Sequence, residues 1–198
     1  MEPNVQKVVR EALELTSKGL GYKYSSNSPK NKGMDCSGTV QHTLNAAGLS
    51  QVPRSFYAMY HWTKDAGTLN KVSGVHSHDH TGLSKLKPGD LLFWEGTYAT
   101  AGRVPPISHV MIYLGTLKAD GKKVMYGASS GRRYRGKKIH GVSVFDFSLP
   151  KADFKAKFVG YSPIPRLETV EVAALEAVTA PKARAGLFPK LREALSKK

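Results

Sequence analysis

The order of the patterned segments predicts an α+β fold in which N-terminal helices precede an antiparallel sheet. Apolar residues recur at helical spacing within the first 48 residues, whereas short apolar runs separated by turns occupy residues 91–162. Helices followed by a meander of strands are typical of the α+β class, and we expect about five or six strands. The length of 198 residues suits one such domain with an appendage.

Three helical segments are predicted. The first covers residues 4–18 and ends at Gly19. The second begins near Asp35, and its apolar positions are spaced by four, four and three residues, so that they lie on one helix face. These positions are Cys36, Val40, Leu44 and Ala47. A third, short helix or structured loop is predicted over residues 53–62, and the polar segment 63–85 is predicted to be irregular.

The strands follow a turn signal at Lys87-Pro88-Gly89-Asp90. They are predicted at residues 91–94, 109–114, 123–128, 139–145 and 158–162. Asp120-Gly121 is typical of a hairpin turn between two of them. After Pro165 the composition shifts to Ala, Val, Glu and Thr. We therefore predict a domain over residues 1–166 and an appendage over residues 167–198, which we expect to be partly disordered.

The net charge of +15 predicts attraction to polyanions such as anionic cell-wall polymers. Between Lys118 and Lys138 there are eight basic residues and one acid, Asp120. This segment fits either a solvated loop or a ligand-facing rim. No base-reading module accompanies it, so we predict no nucleic-acid partner. No apolar run approaches the ~20 residues of a membrane span, and the N-terminus shows no signal-peptide core.

The chain has a single cysteine, Cys36. One thiol excludes an intrachain disulfide and any metal site that needs several thiolates. The thiol is then either a buried structural group or a nucleophile. If Asp35 caps the helix, Cys36 lies in the first turn, where the helix dipole stabilises a thiolate. The Asp35 carboxylate opposes this effect, so a basic partner is needed.

Among seven histidines, His109 is the best candidate for that partner, because it begins a strand directly after a loop. Strand alternation predicts that His109, Met111 and Tyr113 share one face of the sheet. Three other histidines stand at every second residue, at positions 76, 78 and 80. We predict a loop there rather than a metal site, and we predict no cofactor.

Five segments occur in an order and spacing that resembles the NlpC-type cell-wall endopeptidases, which are papain-like cysteine hydrolases. The resemblance covers roughly residues 5–165. The segments are Gly21-Tyr22-Lys23-Tyr24, Asp35-Cys36-Ser37-Gly38, Pro53-Arg54-Ser55, Pro88-Gly89-Asp90-Leu91 and Ser108-His109-Val110-Met111-Ile112-Tyr113-Leu114-Gly115.

The resemblance implies a papain-like fold in which the helix bearing the cysteine packs on the antiparallel sheet bearing the histidine. It implies hydrolysis of peptidoglycan stem peptides outside the cytoplasm, often at the bond between D-glutamate and a diamino acid. By motif match, Cys36 is the nucleophile and His109 the general base. Four further residues are expected to line the substrate cleft: Tyr22, Asp35, Arg54 and Ser55.

One position departs from the family pattern. The family usually supplies a third polar residue from the strand after the base, and the matching position here is Gly127. Such a residue orients the imidazole and fixes its tautomer. The alternatives are Ser129, His140, a backbone carbonyl or water. We favour His140, because an imidazole can act at similar reach, and the predicted catalytic set is therefore Cys36, His109 and His140.

Other functions stay open at the level of the sequence. A secreted toxin-type amidase uses the same residues. A non-catalytic cell-wall-binding module is compatible with the missing third residue and the high charge. Acyl transfer to lipids is disfavoured, because in permuted relatives the histidine precedes the cysteine, whereas here Cys36 comes first.

Overall fold

The computed structural model describes residues 4–100 and 102–167. Its α-helices are α1 (Val5–Ser17), α2 (Cys36–Ala46) and α3 (Phe56–Asp65). Its strands are β1 (Gly21–Tyr22), β2 (Gly33–Met34), β3 (Asn70–Lys71), β4 (Leu91–Glu95), β5 (Ile107–Thr116), β6 (Lys123–Ser129), β7 (Arg133–Tyr134), β8 (Lys137–Lys138), β9 (Gly141–Asp146) and β10 (Lys157–Ser162). The three predicted helices and five predicted strands are all confirmed, with small differences at their ends.

The main sheet has six strands in the order β3-β10-β4-β5-β6-β9, and every neighbouring pair is antiparallel. β1 and β2 form a small parallel pair, and β7 and β8 a small antiparallel pair. The predicted α+β class is confirmed, and the six strands agree with the estimate of about five or six. The two-residue strands were not predicted, since so short a segment carries no periodic pattern.

Side-chain caps fix where the three helices begin. Asn4 accepts a hydrogen bond from the Lys7 N–H at 3.1 Å at the start of α1. Ser55 accepts one from the Ala58 N–H at 3.1 Å at the start of α3. At the start of α2, Asp35 is the cap, as predicted. These caps satisfy backbone N–H groups that have no partner within the helix.

A hydrophobic core lies between the helices and one face of the sheet. The predicted stripe of α2 is entirely buried in it, and α2 packs on β5 and β6. The sheet contributes the side chains of Val110, Ile112 and Leu114 from β5. The alternation predicted for β5 is therefore confirmed, and one side of this strand faces the helix that bears the cysteine.

A second core covers the opposite face of the sheet. Met111 and Tyr113 of β5 lie in it together with Trp94 of β4. Val75 and Leu83 come from the segment predicted to be irregular, and they cover this face. That segment contains β3 and a short 3-10 helix at Thr81–Leu83, so the prediction of an irregular segment holds for most of its length.

No helix among the described residues is long and apolar enough to cross a membrane. The predicted boundary at residue 167 coincides with the end of the described chain. The appendage predicted beyond it lies outside the described residues, so its disorder stays a prediction.

We expect Gly38→Ala to destabilise the protein. A Cβ at this position of α2 would collide with the backbone carbonyl of Ser26 and come within 2.9 Å of the Asn27 Cα. Backbone atoms cannot move aside cheaply, so we expect a loss of about 2–3 kcal/mol in the free energy of unfolding, measured with urea. Gly131→Ala is the matched control, because nothing lies within 4 Å of its Cβ position. Equal stability of the two variants would contradict this packing argument.

A second prediction concerns Asp90, which is 3% exposed and accepts a hydrogen bond from the Lys87 N–H at 2.9 Å. Burial raises the pKa of its carboxyl from 3.8 to about 7. The folded state therefore holds the proton more tightly than the unfolded state. This contribution to stability is full below pH 3.8, decreases as the pH rises, and is lost above about pH 7.

Asp90→Asn keeps an oxygen acceptor for Lys87 and removes the ionisation. We expect it to raise the free energy of unfolding at pH 8 by up to about 4 kcal/mol, with the gain disappearing towards pH 4. Urea unfolding at several pH values measures this effect. The exposed Asp153→Asn is the control, and a gain independent of pH would contradict the assignment.

Candidate active site

The candidate site is built around the first residue of α2. Cys36 follows the Asp35 cap directly and is 4% exposed. The backbone N–H groups of Val110, Ser37 and Cys36 itself form hydrogen bonds that favour a negative charge on the sulfur. Two of these donors belong to the start of the helix, and the third belongs to β5. The sulfur therefore meets β5 one residue away from His109.

This contact lies beyond the last residue pair that joins β5 to β6. The register between β5 and β6 ends at Ile112↔Tyr126. β5 continues through residues 107–111, which pair with β4. Val110 lies in this continuation, so its edge can face the sulfur of Cys36.

The resting state of Cys36 is a neutral thiol. Burial and the nearby Asp35 carboxylate raise the pKa of Cys36 to about 11, although the backbone hydrogen bonds act in the opposite direction. The sequence predicted that the helix start would favour a thiolate. The predicted opposition of Asp35 is present, but burial is the largest effect and keeps the proton on the sulfur.

His109 is also neutral at rest. Its ring is buried on the face of the sheet that carries the second core, and its Nε2 has no hydrogen-bond partner. Burial is the main reason that the pKa of His109 falls to about 3, and the positive charge of Arg132 lowers it further. Among the described residues, no hydrogen bond joins the His109 ring to Cys36, so their partnership is a proposal.

Asp35 and Arg54 form an ion pair at the start of α2. Arg54 donates two hydrogen bonds to the carboxylate, at 2.8 and 3.2 Å. It donates a third, at 3.0 Å, to the Ser37 hydroxyl. Asp35 also accepts from the Gly38 N–H at 2.6 Å. Three of the predicted cleft residues, Asp35, Arg54 and Ser55, thus form hydrogen bonds within the chain.

Tyr22 lies beside the thiol. Burial raises the pKa of its hydroxyl, and negative charge on Cys36 or Asp35 raises it further. Its ring contacts the ring of His140, with centroids 6.2 Å apart in an edge arrangement. Tyr22 is therefore near enough to Cys36 and Asp35 for their charges to act on it, and its place in the substrate cleft stays a prediction.

Among the described residues, no hydrogen bond joins His140 to His109, so the predicted role of His140 as the third catalytic residue stays a prediction. His140 is exposed and contacts Tyr22, and the buried Nε2 of His109 has no partner. The hydroxyl of Ser129, the alternative candidate, accepts a hydrogen bond from the Gly131 N–H at 3.3 Å. At Gly127 itself, a Cβ would lie 3.1 Å from the Cε of Met111, so a side chain there requires Met111 to shift.

Three residues near the site were missed by sequence reasoning. Tyr98 lies close enough for the charge of Cys36 to raise its pKa, and Arg103 hydrogen-bonds its hydroxyl. Both belong to the loop between β4 and β5. Arg132 reaches His109 from the segment before β7. No motif marks these positions, and only the basic character of the segment around Arg132 was visible.

The three alternate histidines have separate partners. His76 Nδ1 lies 2.8 Å from the carbonyl of Pro150. The ring of His78 packs on Phe147, and His80 caps the short 3-10 helix. In the described part of the chain, no group of three or more His, Cys, Asp or Glu residues is arranged to hold a metal ion.

A cysteine at a helix start, beside a histidine-bearing strand of an antiparallel sheet, is the arrangement of a candidate cysteine hydrolase. Residues 19–142 match the model of the NlpC/P60 family, which is more than half of the chain. The chain belongs to the NlpC/P60 family, and the predicted resemblance is confirmed.

Two individual proteins are similar to the chain. It is 31% identical over 116 residues to the murein DD-endopeptidase MepH of Escherichia coli (strain K12). That match covers 58% of this chain and 36% of MepH, so the chain spans about a third of that relative's length. A crystal structure from Staphylococcus aureus subsp. aureus Mu50, described as similar to lipoprotein, NLP/P60 family, has a TM-score of 0.49 and 24% identity. The matched region is 81% of this chain and 41% of the Staphylococcus aureus chain.

The ion pair at the start of α2 gives a test of the thiol's electrostatics. Asp35→Asn removes the charge that raises the pKa of Cys36, and asparagine remains a good helix cap. We expect the midpoint of the pH dependence of Cys36 alkylation to move below about 11. Arg54→Met removes the compensating cation, so we expect the midpoint to rise.

The rate of reaction with iodoacetamide, measured from pH 7 to 11.5, gives both midpoints. The exposed Asp65→Asn serves as the matched control. A midpoint that rises in Asp35→Asn would contradict this account.

Proposed function

We propose that this protein is a cysteine hydrolase that cleaves amide bonds in peptidoglycan stem peptides. The observation that carries the proposal is the position of Cys36, which is the first residue of α2 and meets β5 at Val110, next to His109. Membership of the NlpC/P60 family supports the same class of reaction. So does the similarity to a protein named murein DD-endopeptidase.

In the proposed reaction, the imidazole of His109 removes the thiol proton as the sulfur attacks the scissile carbonyl carbon. Nε2 is enclosed and unpartnered, so Nδ1 is the nitrogen assigned to this transfer. The tetrahedral adduct collapses when the C–N bond breaks, and the imidazolium returns its proton to the leaving amine. Water then attacks the thioester, releasing the acid and regenerating the thiol.

The start of α2 can also stabilise the oxyanion of the adduct. The backbone N–H groups of Cys36 and Ser37 point towards the sulfur. An oxygen bound to the attacked carbon lies within reach of the same donors, and donors fixed in advance stabilise charge that develops in the transition state. The positive end of the helix dipole acts in the same direction.

The identity of the scissile bond is part of the proposal. The family resemblance points to the bond between D-glutamate and a diamino acid. The name of the Escherichia coli relative points instead to a DD bond in murein. Both bonds join an acyl group to an amine, so the proposed chemistry is the same, and the masses of the products distinguish them.

Tyr22 and Tyr98 are the proposed substrate contacts, because both lie close enough to Cys36 for its charge to affect their hydroxyls. Asp35 and Arg54 contribute by holding the start of α2, since their charged groups are bonded to each other. Ser55 contributes through its cap on α3. We propose action outside the cytoplasm, where peptidoglycan lies, with the net charge of +15 favouring contact with anionic wall polymers.

A second candidate function is a non-catalytic module that binds the cell wall. The observation that favours it is the thiol itself, which is 4% exposed and has a pKa raised to about 11. A cysteine of this kind is less reactive than an exposed thiolate. The two functions differ in whether substitution of Cys36 abolishes product formation while binding persists.

We expect Cys36→Ala to abolish release of peptides or amines from purified peptidoglycan, because no other thiol can form the acyl-enzyme. We expect His109→Gln to reduce the rate by about 10²- to 10⁴-fold, which is the usual range for a general base. Mass spectrometry of the soluble products measures both effects and identifies the cleaved bond.

His42→Gln is the matched histidine control, since His42 lies on α2 beyond the first turn. Pull-down on insoluble peptidoglycan tests binding in the same samples. Cleavage that persists in Cys36→Ala would contradict the enzyme proposal. Binding by wild-type and Cys36→Ala proteins alike, with no products from either, would favour the wall-binding module.

A further inference from the structure

The place of the missing third residue is closed by an apolar side chain. Gly127 of β6 faces Met111 of β5, and a Cβ at Gly127 would lie 3.1 Å from the Met111 Cε and 3.3 Å from its Cγ. A larger side chain at Gly127 can enter only if Met111 moves. The neighbouring strand therefore offers no polar group to the enclosed Nε2 of His109.

Trp94 is the side chain that contacts the His109 ring instead. It lies directly opposite His109 in the antiparallel register of β4 and β5. The two ring centroids are 5.8 Å apart, with the planes tilted by 55°. Directly opposed side chains on the same face of a sheet pack against each other, so Trp94 forms a wall that limits rotation of the imidazole.

Arg132 holds this wall in place. Its guanidinium lies over the Trp94 ring, 4.3 Å from the centroid. It also donates a hydrogen bond to the Ser148 hydroxyl at 3.3 Å, and its carbonyl accepts one from the Ile139 N–H at 3.0 Å. No carboxylate pairs with Arg132 in the described part of the chain. Arg132 is half-buried, so its ring contact with Trp94 and its hydrogen bond to Ser148 are the side-chain contacts that hold its guanidinium.

The charges that face His109 come from a few elements. From the segment before β7, Arg132 lowers the pKa of His109. From α2, the group that approaches β5 at this point is the neutral thiol of Cys36, and the charge of the adjacent Asp35 is paired with Arg54. From β4, Trp94 is uncharged, and β6 offers no charge because Gly127 has no side chain.

We propose that Trp94 and Arg132 take the place of the third catalytic residue, with Trp94 packing on the His109 ring and Arg132 acting as the positioning residue that holds Trp94. This role rests on the proposed function of His109 as a base. Arg132 acts in two separable ways. Its planar guanidinium stacks on the indole, and its charge favours the neutral imidazole, which is the form that can accept a proton.

Substitution of Arg132 separates the two effects. Arg132→Met removes both. Loss of the stack misplaces the reacting imidazole, and we expect this effect to outweigh the easier protonation of His109, so that kcat falls about 10- to 100-fold with KM within about twofold of wild type. We also expect the pKa of His109 to rise by about one unit. Arg132→Lys keeps the charge but not the planar stack, so we expect it to restore the pKa of His109 and only part of kcat.

The assay uses soluble muropeptides as substrate, and NMR titration of ¹³C-labelled histidine gives the pKa of His109, with His109→Gln for assignment. Arg133→Met is the control, because it removes one positive charge from the residue next to Arg132. Arg133 is exposed and donates a hydrogen bond to the Gly136 carbonyl. Thermal unfolding shows whether each variant is folded, and Arg132→Lys provides the test if Arg132→Met is not.

A folded Arg132→Met protein with the wild-type kcat and the wild-type pKa of His109 overturns the proposal. An Arg132→Lys protein with the wild-type kcat also overturns it, because the stacking of the guanidinium on Trp94 then has no function. If wild type and Cys36→Ala are equally inactive, the proposed hydrolase function fails. The NMR titration then still decides the inference, because an unchanged pKa of His109 in Arg132→Met overturns it without any catalytic measurement.

Discussion

The start of α2 is the constraint on which the candidate site depends. Asp35 accepts the Gly38 N–H and two hydrogen bonds from Arg54, so the helix can begin at only one residue. That residue is Cys36, and the thiol is thereby held against the backbone of β5 at Val110. The same carboxylate raises the pKa of the thiol. The group that fixes the position of the sulfur thus also reduces its reactivity at rest.

For the proposed reaction, the thiol on the helix side of the sheet must also approach a histidine on the opposite side. His109 shares its face with the second core, whereas Cys36 belongs to the first. The separation of β5 from β6 beyond Ile112↔Tyr126 resolves this difficulty. It leaves an edge of β5 open at Val110, so the sulfur meets the strand at its edge rather than above one face.

The sequence was most informative where a feature is local. The cap at Asp35, the stripe of α2 and the alternation of β5 depend on neighbouring residues, and all three were predicted. The contact between Trp94 and His109 depends on register, which a single sequence does not specify. The approach of Arg132 depends on the path of a loop. The preference for His140 rested on reach alone, and a single sequence does not show that His140 is exposed and contacts Tyr22.

A base without a polar third residue changes how the proposed reaction must proceed. The pKa of the thiol is raised to about 11 and that of His109 lowered to about 3, and both shifts disfavour an ion pair of the two groups before substrate binds. A third residue that accepts a hydrogen bond stabilises the imidazolium, whereas Arg132 opposes it. Proton transfer must then accompany attack on the carbonyl carbon. Because the imidazolium then exists only while the negative adduct is present, donors at the start of α2 that stabilise this oxyanion also stabilise the imidazolium beside it.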